Sequence, residues 1–81
     1  VKRKDGSWLI DGSTPTDEVE AATGVKLGTE VTTTAGFILH QLGQIPESGV
    51  SFQYGSLRFE IVDMDGLRID KVLVESKPPE K

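Results

Sequence analysis

Cysteine is absent from this chain, and histidine, methionine, tryptophan and tyrosine occur once each. Without cysteine there is no disulfide framework, no thiolate zinc site and no thiol nucleophile, a usage that fits a reducing compartment. With one histidine, a general base titrating near neutrality would have to be His40. Long apolar runs are missing too. The longest, such as Phe37-Ile38-Leu39, have three residues, against roughly 20 for a bilayer-spanning helix, so neither direct membrane insertion nor a signal-peptide core is expected. Basic residues are outnumbered, nine Lys and Arg against 13 Asp and Glu, for a formal charge of −4. That balance opposes a phosphate backbone, and no basic stripe interleaved with aromatics offsets it, so nucleic acid is excluded as a partner.

What is present fits one small soluble domain. Eighty-one residues bury only about 60% of the surface their unfolded chain exposes, which makes stability modest. The sequence opens without Met on Val1-Lys2-Arg3-Lys4-Asp5 and closes on Lys77-Pro78-Pro79-Glu80-Lys81. Both stretches have the polar or proline-broken character of cut linkers. The expected division is a linker from an upstream region over 1–5, the domain over 6–75 and a polar tail over 76–81.

Ser7-Trp8-Leu9-Ile10-Asp11 reads as a short strand between the turn dipeptides Asp5-Gly6 and Asp11-Gly12, with Trp8 and Ile10 on one face. A helix follows. Thr14 and Thr16 are both suited to cap it, Pro15 suits its first position, Asp17 and Glu18 suit the positive end of its dipole, and Gly24 closes it. Its apolar face is thin, with Val19 and Ala21 or Ala22. A polar connector over 26–33 follows, in which Val25 and Leu27 pin the chain to the core. Thr33 or Thr34 then starts a second helix from Ala35 to Gln41 or Leu42, stopped by Gly43, with Phe37, Ile38, Leu39 and Leu42 on one arc and His40 opposite. Pro46-Glu47-Ser48-Gly49 turns into the alternating strand Val50-Ser51-Phe52-Gln53-Tyr54, and Gly55-Ser56 turns back. The pattern predicts an α+β fold, two helices on a mostly antiparallel sheet.

The C-terminal stretch from Phe59 to Glu75 holds five acidic residues, of which Asp63, Asp65 and Asp70 lie near Gly66. Asp65-Gly66 is a strong signal for a two-residue hairpin loop. Taken as the loop, it places Asp63 opposite Arg68, Glu60 opposite Lys71, Val62 opposite Ile69 and Phe59 opposite Val72, so that the charges answer one another across the ladder. Near the base Leu57, Phe59, Val72 and Val74 line one side, whereas near the tip Val62, Met64, Leu67 and Ile69 line the other. Such a swap requires strong twist, a bulge, or a tip inserted against a second surface. Strong twist with the tip packed on its own helices is the preferred reading, and docking of the tip on a neighbouring domain or another copy of the chain is the rival.

The acidic turn does not make a calcium loop. With Gly66 at position six of an EF-hand, positions one and twelve fall on Ile61 and Val72, which supply no oxygen ligand from their side chains. No metal site, cofactor or catalytic residue is therefore assigned. His40 is read as a surface imidazole, and no nucleophile elbow or phosphate loop occurs. Trp8, Phe52 and Tyr54 are read as core residues, with ligand stacking as the alternative.

Several segments in order carry a family resemblance: Asp5-Gly6-Ser7-Trp8-Leu9-Ile10-Asp11-Gly12, Thr34-Ala35-Gly36-Phe37, Leu42-Gly43-Gln44-Ile45-Pro46, Leu57-Arg58-Phe59-Glu60-Ile61 and Met64-Asp65-Gly66-Leu67-Arg68-Ile69. From about Asp5 to Val74 the chain resembles the CorC/HlyC transporter-associated domain. The resemblance implies the C-terminal module of membrane proteins similar to CorC magnesium and cobalt efflux proteins and hemolysin-like proteins, following a transmembrane region and a pair of CBS domains on the cytoplasmic side. It also implies a fold related to part of certain flavin-binding domains, and a non-enzymatic role in modulating ion transport. The first helix departs from the family by being poor in leucine. An alternative function, binding of an adenine nucleotide or flavin-like ligand, draws on that fold kinship and on Trp8 and Tyr54.

Overall fold

In a computed structural model, which describes residues 6–28 and 32–76, the stretch around the lone tryptophan extends as strand β1 (Trp8–Asp11). Helices α1 (Thr16–Thr23) and α2 (Thr34–Leu42) follow, then strands β2 (Ser51–Tyr54), β3 (Leu57–Asp65) and β4 (Arg68–Ser76). All strand pairs are antiparallel and the sheet order is β1-β4-β3-β2. The segments 1–5 and 77–81, expected to be linker and tail, lie outside the described residues, and Ser76 still belongs to β4.

Strict alternation gives the sheet its two faces. Trp8, Ile10, Phe52, Tyr54, Leu57, Phe59, Ile61, Val72 and Val74 turn toward the helices and join or pack against the core, which Val19, Leu27, Phe37 and Ile38 complete from the other layer. The opposite face carries charge. There Arg58 bridges Glu60 at 3.0 Å and Glu75 at 2.8 Å, and Lys71 pairs with Asp11 on the neighbouring strand.

Helix α2 ends as the sequence predicts. Thr33 caps it, its hydroxyl oxygen accepting the Gly36 N–H at 3.1 Å, and Gly43 closes it at φ 74° with its N–H on the Leu39 carbonyl. Helix α1 departs from expectation at its start. Pro15 stands at the N-cap, one position before the first helical residue, and no side chain caps the helix. Thr14 is committed elsewhere, since its carbonyl accepts both the backbone N–H and the hydroxyl of Thr34, each at 2.8 Å. It therefore anchors the second helix rather than the first.

The hairpin corrects the expected register. Asp65 pairs with Arg68, Met64 with Ile69, Ile61 with Val72 and Phe59 with Val74, a ladder displaced by two residues from the predicted one. The loop is Gly66-Leu67 instead of Asp65-Gly66. An Asp65-Gly66 loop of type I′ needs positive φ at both positions, whereas here Gly66 alone takes it, at 62°, and among the described residues none but glycine does. That is the sign pattern of a type II′ turn, which spares Asp65 the left-handed region. Glu60 consequently faces Leu73, not Lys71, and Asp63 faces Lys71, not Arg68.

The expected swap of apolar faces does not occur: the break in the apolar pattern is real, but bulges, not the strong twist expected, absorb it and keep Met64 and Ile69 on the side of Phe59 and Val72. Register shifts fall between Ile61 and Asp63 and between Asp63 and Met64, so that Val62 on β3 and Asp70 on β4 are extra residues on either side of the Asp63–Lys71 pair. Beyond them Ile69 re-enters the core and Met64 packs against it, while Val62 and Leu67 are left exposed, Leu67 at 75%. The tip is thus half packed inward, through Met64 and Ile69, and half presented to solvent.

Candidate functional site

The thin apolar face of α1 has a spatial consequence. Only Thr16 and Val19 of that helix are buried, and where a larger side chain at Ala22 would meet β1 a pocket of about 170 Å³ opens instead. Trp8, Ile10, Val19, Ala22 and Val74 form its apolar walls, and Thr14, Glu18 and Thr23 contribute polar atoms. The Thr23 hydroxyl is turned back along the helix, donating to the Val19 carbonyl at 2.7 Å. A second, shallower groove shares Ile10, Thr14 and Glu18 with this pocket and runs on to Leu9, Asp11 and Lys71.

The acidic residues of α1 differ in what they do. Glu20 accepts the Leu27 N–H at 2.6 Å, tying the connector to the helix. Asp17 borders a separate depression with Lys26. Glu18 borders the Trp8 pocket and its neighbour.

The residues singled out in the sequence are dispersed. Asp63 and Asp65 are exposed on β3, and among the described residues no group of three or more His, Asp or Glu is placed to hold a metal ion. Asp70 lies at the β4 bulge, where its carbonyl accepts the Gly12 N–H at 2.9 Å. Lys71 does not neutralise a hairpin carboxylate by direct contact; its ammonium sits on Asp11, and that hydrogen bond, followed by the Coulombic attraction, raises its pKa above the ordinary value. Hydrogen bonds donated to Glu60 and then Glu75 likewise hold the Arg58 guanidinium in its charged form. His40 is exposed in the last turn of α2.

Nor do the three aromatics weighed for ligand stacking, Trp8, Phe52 and Tyr54, line the Trp8 pocket together. Tyr54 stands edge-on to Phe37, with ring centres 4.9 Å apart, and Phe52 stacks on Phe59 at 5.3 Å, both serving the core. Trp8 borders a pocket that Tyr54 does not line. At about 170 Å³ that pocket is below the roughly 300–1,000 Å³ usual for drug-sized ligands. The sequence hinted at the pocket only through the shortage of leucine in α1.

The described residues thus form a two-layer α+β domain with an aromatic core, an ion-paired outer sheet face and several small surface pockets. The chain fits the family model of the transporter associated domain, CorC_HlyC, over residues 1–78, and it belongs to that family. It is 45% identical over 84 aligned residues to the UPF0053 protein sll0260 of Synechocystis, covering 96% of this chain and 18% of that protein. It is 38% identical over 77 residues to the polyamine export protein of Escherichia coli K12, covering 91% of this chain and 17% of the relative. Among solved structures, the transporter associated domain of a Xylella fastidiosa hemolysin, in complex with Mg²⁺ and Mn²⁺, superposes with a TM-score of 0.85 at 42% identity, covering 94% of each chain. The chain thus spans less than a fifth of the curated relatives it matches. Among the described residues no helix is long and apolar enough to cross a membrane.

Proposed function

We propose that this domain is a non-catalytic regulatory module of a membrane cation exporter, positioned on the cytoplasmic side after a transmembrane region and a CBS-domain pair. The observation that carries the reading is the 38% identity to a polyamine export protein of which the matched segment is only 17%. A module of that size, inside a protein named for transport, adjusts the transporter instead of forming the path across the bilayer. The net charge of −4 suits a neighbourhood through which cations pass.

The cargo we favour is an organic polycation. A divalent metal ion, Mg²⁺ or Co²⁺, is the second reading, supported by the Xylella domain in complex with Mg²⁺ and Mn²⁺. Both are tested by removing the domain from its full-length parent and following polyamine export and Mg²⁺ or Co²⁺ tolerance in cells, with membrane insertion of the truncated protein checked in parallel. Altered polyamine export with normal insertion is the expected result. A change confined to metal tolerance selects the second reading, and transport indifferent to the deletion for both cargoes refutes the regulatory role.

A further inference from the structure

We propose that the slot between Trp8 and α1 binds an aliphatic ammonium ion. The proposal deepens the reading of the domain as a module of an organic-cation exporter and rests on it.

The walls of the slot are an indole and short aliphatic side chains, Ile10, Val19, Ala22 and Val74, and among the described residues its one charged lining residue is Glu18. An indole face attracts a cation through its quadrupole, a carboxylate supplies a charge-assisted hydrogen bond, and the apolar walls accept methylene groups. An alkylammonium satisfies all three. A bare metal ion would lack oxygen ligands there beyond Glu18 and the threonines, and a nucleotide would bring phosphate charge against Glu18 into a space of about 170 Å³.

Two further observations favour the same ligand class. Among the described residues no cation pairs with Glu18: Arg58 is held by Glu60 and Glu75, and Lys71 by Asp11. The adjoining groove, which shares Glu18, ends at that Asp11–Lys71 pair, so the chain's own butylammonium group already lies against a carboxylate within it. A diamine seated by one end beside Trp8 and Glu18 would direct its second ammonium along this groove toward Asp11, in competition with Lys71.

The single tryptophan makes the test direct, because Trp8 is the only indole in the chain. A Xylella domain matching 94% of its own chain to this one has been solved as a separate unit, so the 81-residue chain is suitable as it stands. Its emission is followed while n-butylamine or 1,4-diaminobutane is added at constant ionic strength, with 1-butanol and MgCl₂ as controls. A saturable change with the amines, tighter for the diamine, and none with butanol or Mg²⁺ is expected. E18Q, with unchanged circular dichroism, weakens the amine response by about tenfold or more, the scale of a lost hydrogen bond to a charged group. A22L fills the slot and abolishes the response. A flat titration with both amines, undiminished binding by E18Q, or a Mg²⁺ response equal to that of the amines overturns the proposal. A flat titration beside a clear deletion phenotype removes this inference alone; amine binding beside unaffected transport removes the regulatory reading.

Discussion

A methyl group added to Gly12 would lie 2.1 Å from the Ile69 carbonyl oxygen and 3.3 Å from the Ala35 Cβ. Gly12 is where three elements meet. Its N–H donates to the Asp70 carbonyl at 2.9 Å and its own carbonyl accepts from the Ala35 N–H at 2.8 Å, so β1, the β4 bulge and the first turn of α2 are fixed through one residue without a side chain. Gly12→Ala forces backbone apart, not a flexible side-chain end. It is expected to cost about 3 kcal/mol or more, read as a lowered urea midpoint with unchanged slope.

The aromatic core gives a graded expectation. Phe59 is fully buried and touches both Phe37, at 5.4 Å between ring centres, and Phe52. Phe59→Ala removes both contacts and leaves a cavity, for a loss of about 3–5 kcal/mol. In a domain this small that consumes most of the stability. Chemical denaturation at low temperature should find Phe59→Leu folded and Phe59→Ala largely unfolded.

At the hairpin tip the two loop residues should behave oppositely. Gly66 holds φ 62°, and Gly66→Ala is expected to cost about 1 kcal/mol. Leu67, 75% exposed, tolerates Leu67→Asn within about 0.5 kcal/mol. Thermal melts of the two variants, side by side, check both. An Asp65-Gly66 loop would instead place Leu67 opposite Met64 within the ladder and make its replacement costly.

The Lys71–Asp11 pair carries a pH signature. Folding raises the Lys71 pKa above its ordinary 10.5, chiefly through the hydrogen bond from its ammonium to Asp11. The attendant stabilisation is complete below the unfolded value and is lost as pH rises through the folded one. Both side chains are well exposed, so solvent screens the effect and it is small. The urea midpoints of the wild-type chain and Lys71→Met should differ at pH 8 and draw together as pH rises past the raised Lys71 pKa.

Much of this architecture is written locally in the sequence. Thr33 and Gly43 bound α2 because capping chemistry depends on a few adjacent residues, and alternation over Leu57-Arg58-Phe59-Glu60-Ile61 assigned the inner face of β3. The hairpin shows where local reading stops. The break in the apolar pattern was visible, and twist and bulge were both compatible with it, but register is a relation between two strands. The true loop was decided by a cost at Asp65 that Gly66-Leu67 avoids. The ion pairs were misassigned for the same reason: Lys71 finds Asp11 across the sheet, from a strand sixty residues earlier. The Trp8 pocket was legible only as a deficit, in the short side chains of α1, because a space between elements has no residues of its own.

The paired bulges at Val62 and Asp70 constrain how relatives of this domain can vary in length. Each strand of the ribbon carries one supernumerary residue, and each bulge keeps its own strand's inward set in phase, Ile61 then Met64 on β3 and Val72 then Ile69 on β4. Loss of either extra residue would leave its strand in regular alternation with the inward side chains unmoved, whereas a residue gained or lost elsewhere in the ribbon needs a new bulge to keep the distal side chains from turning outward. Length changes along this ribbon should therefore gather at Val62 and Asp70, singly as well as together.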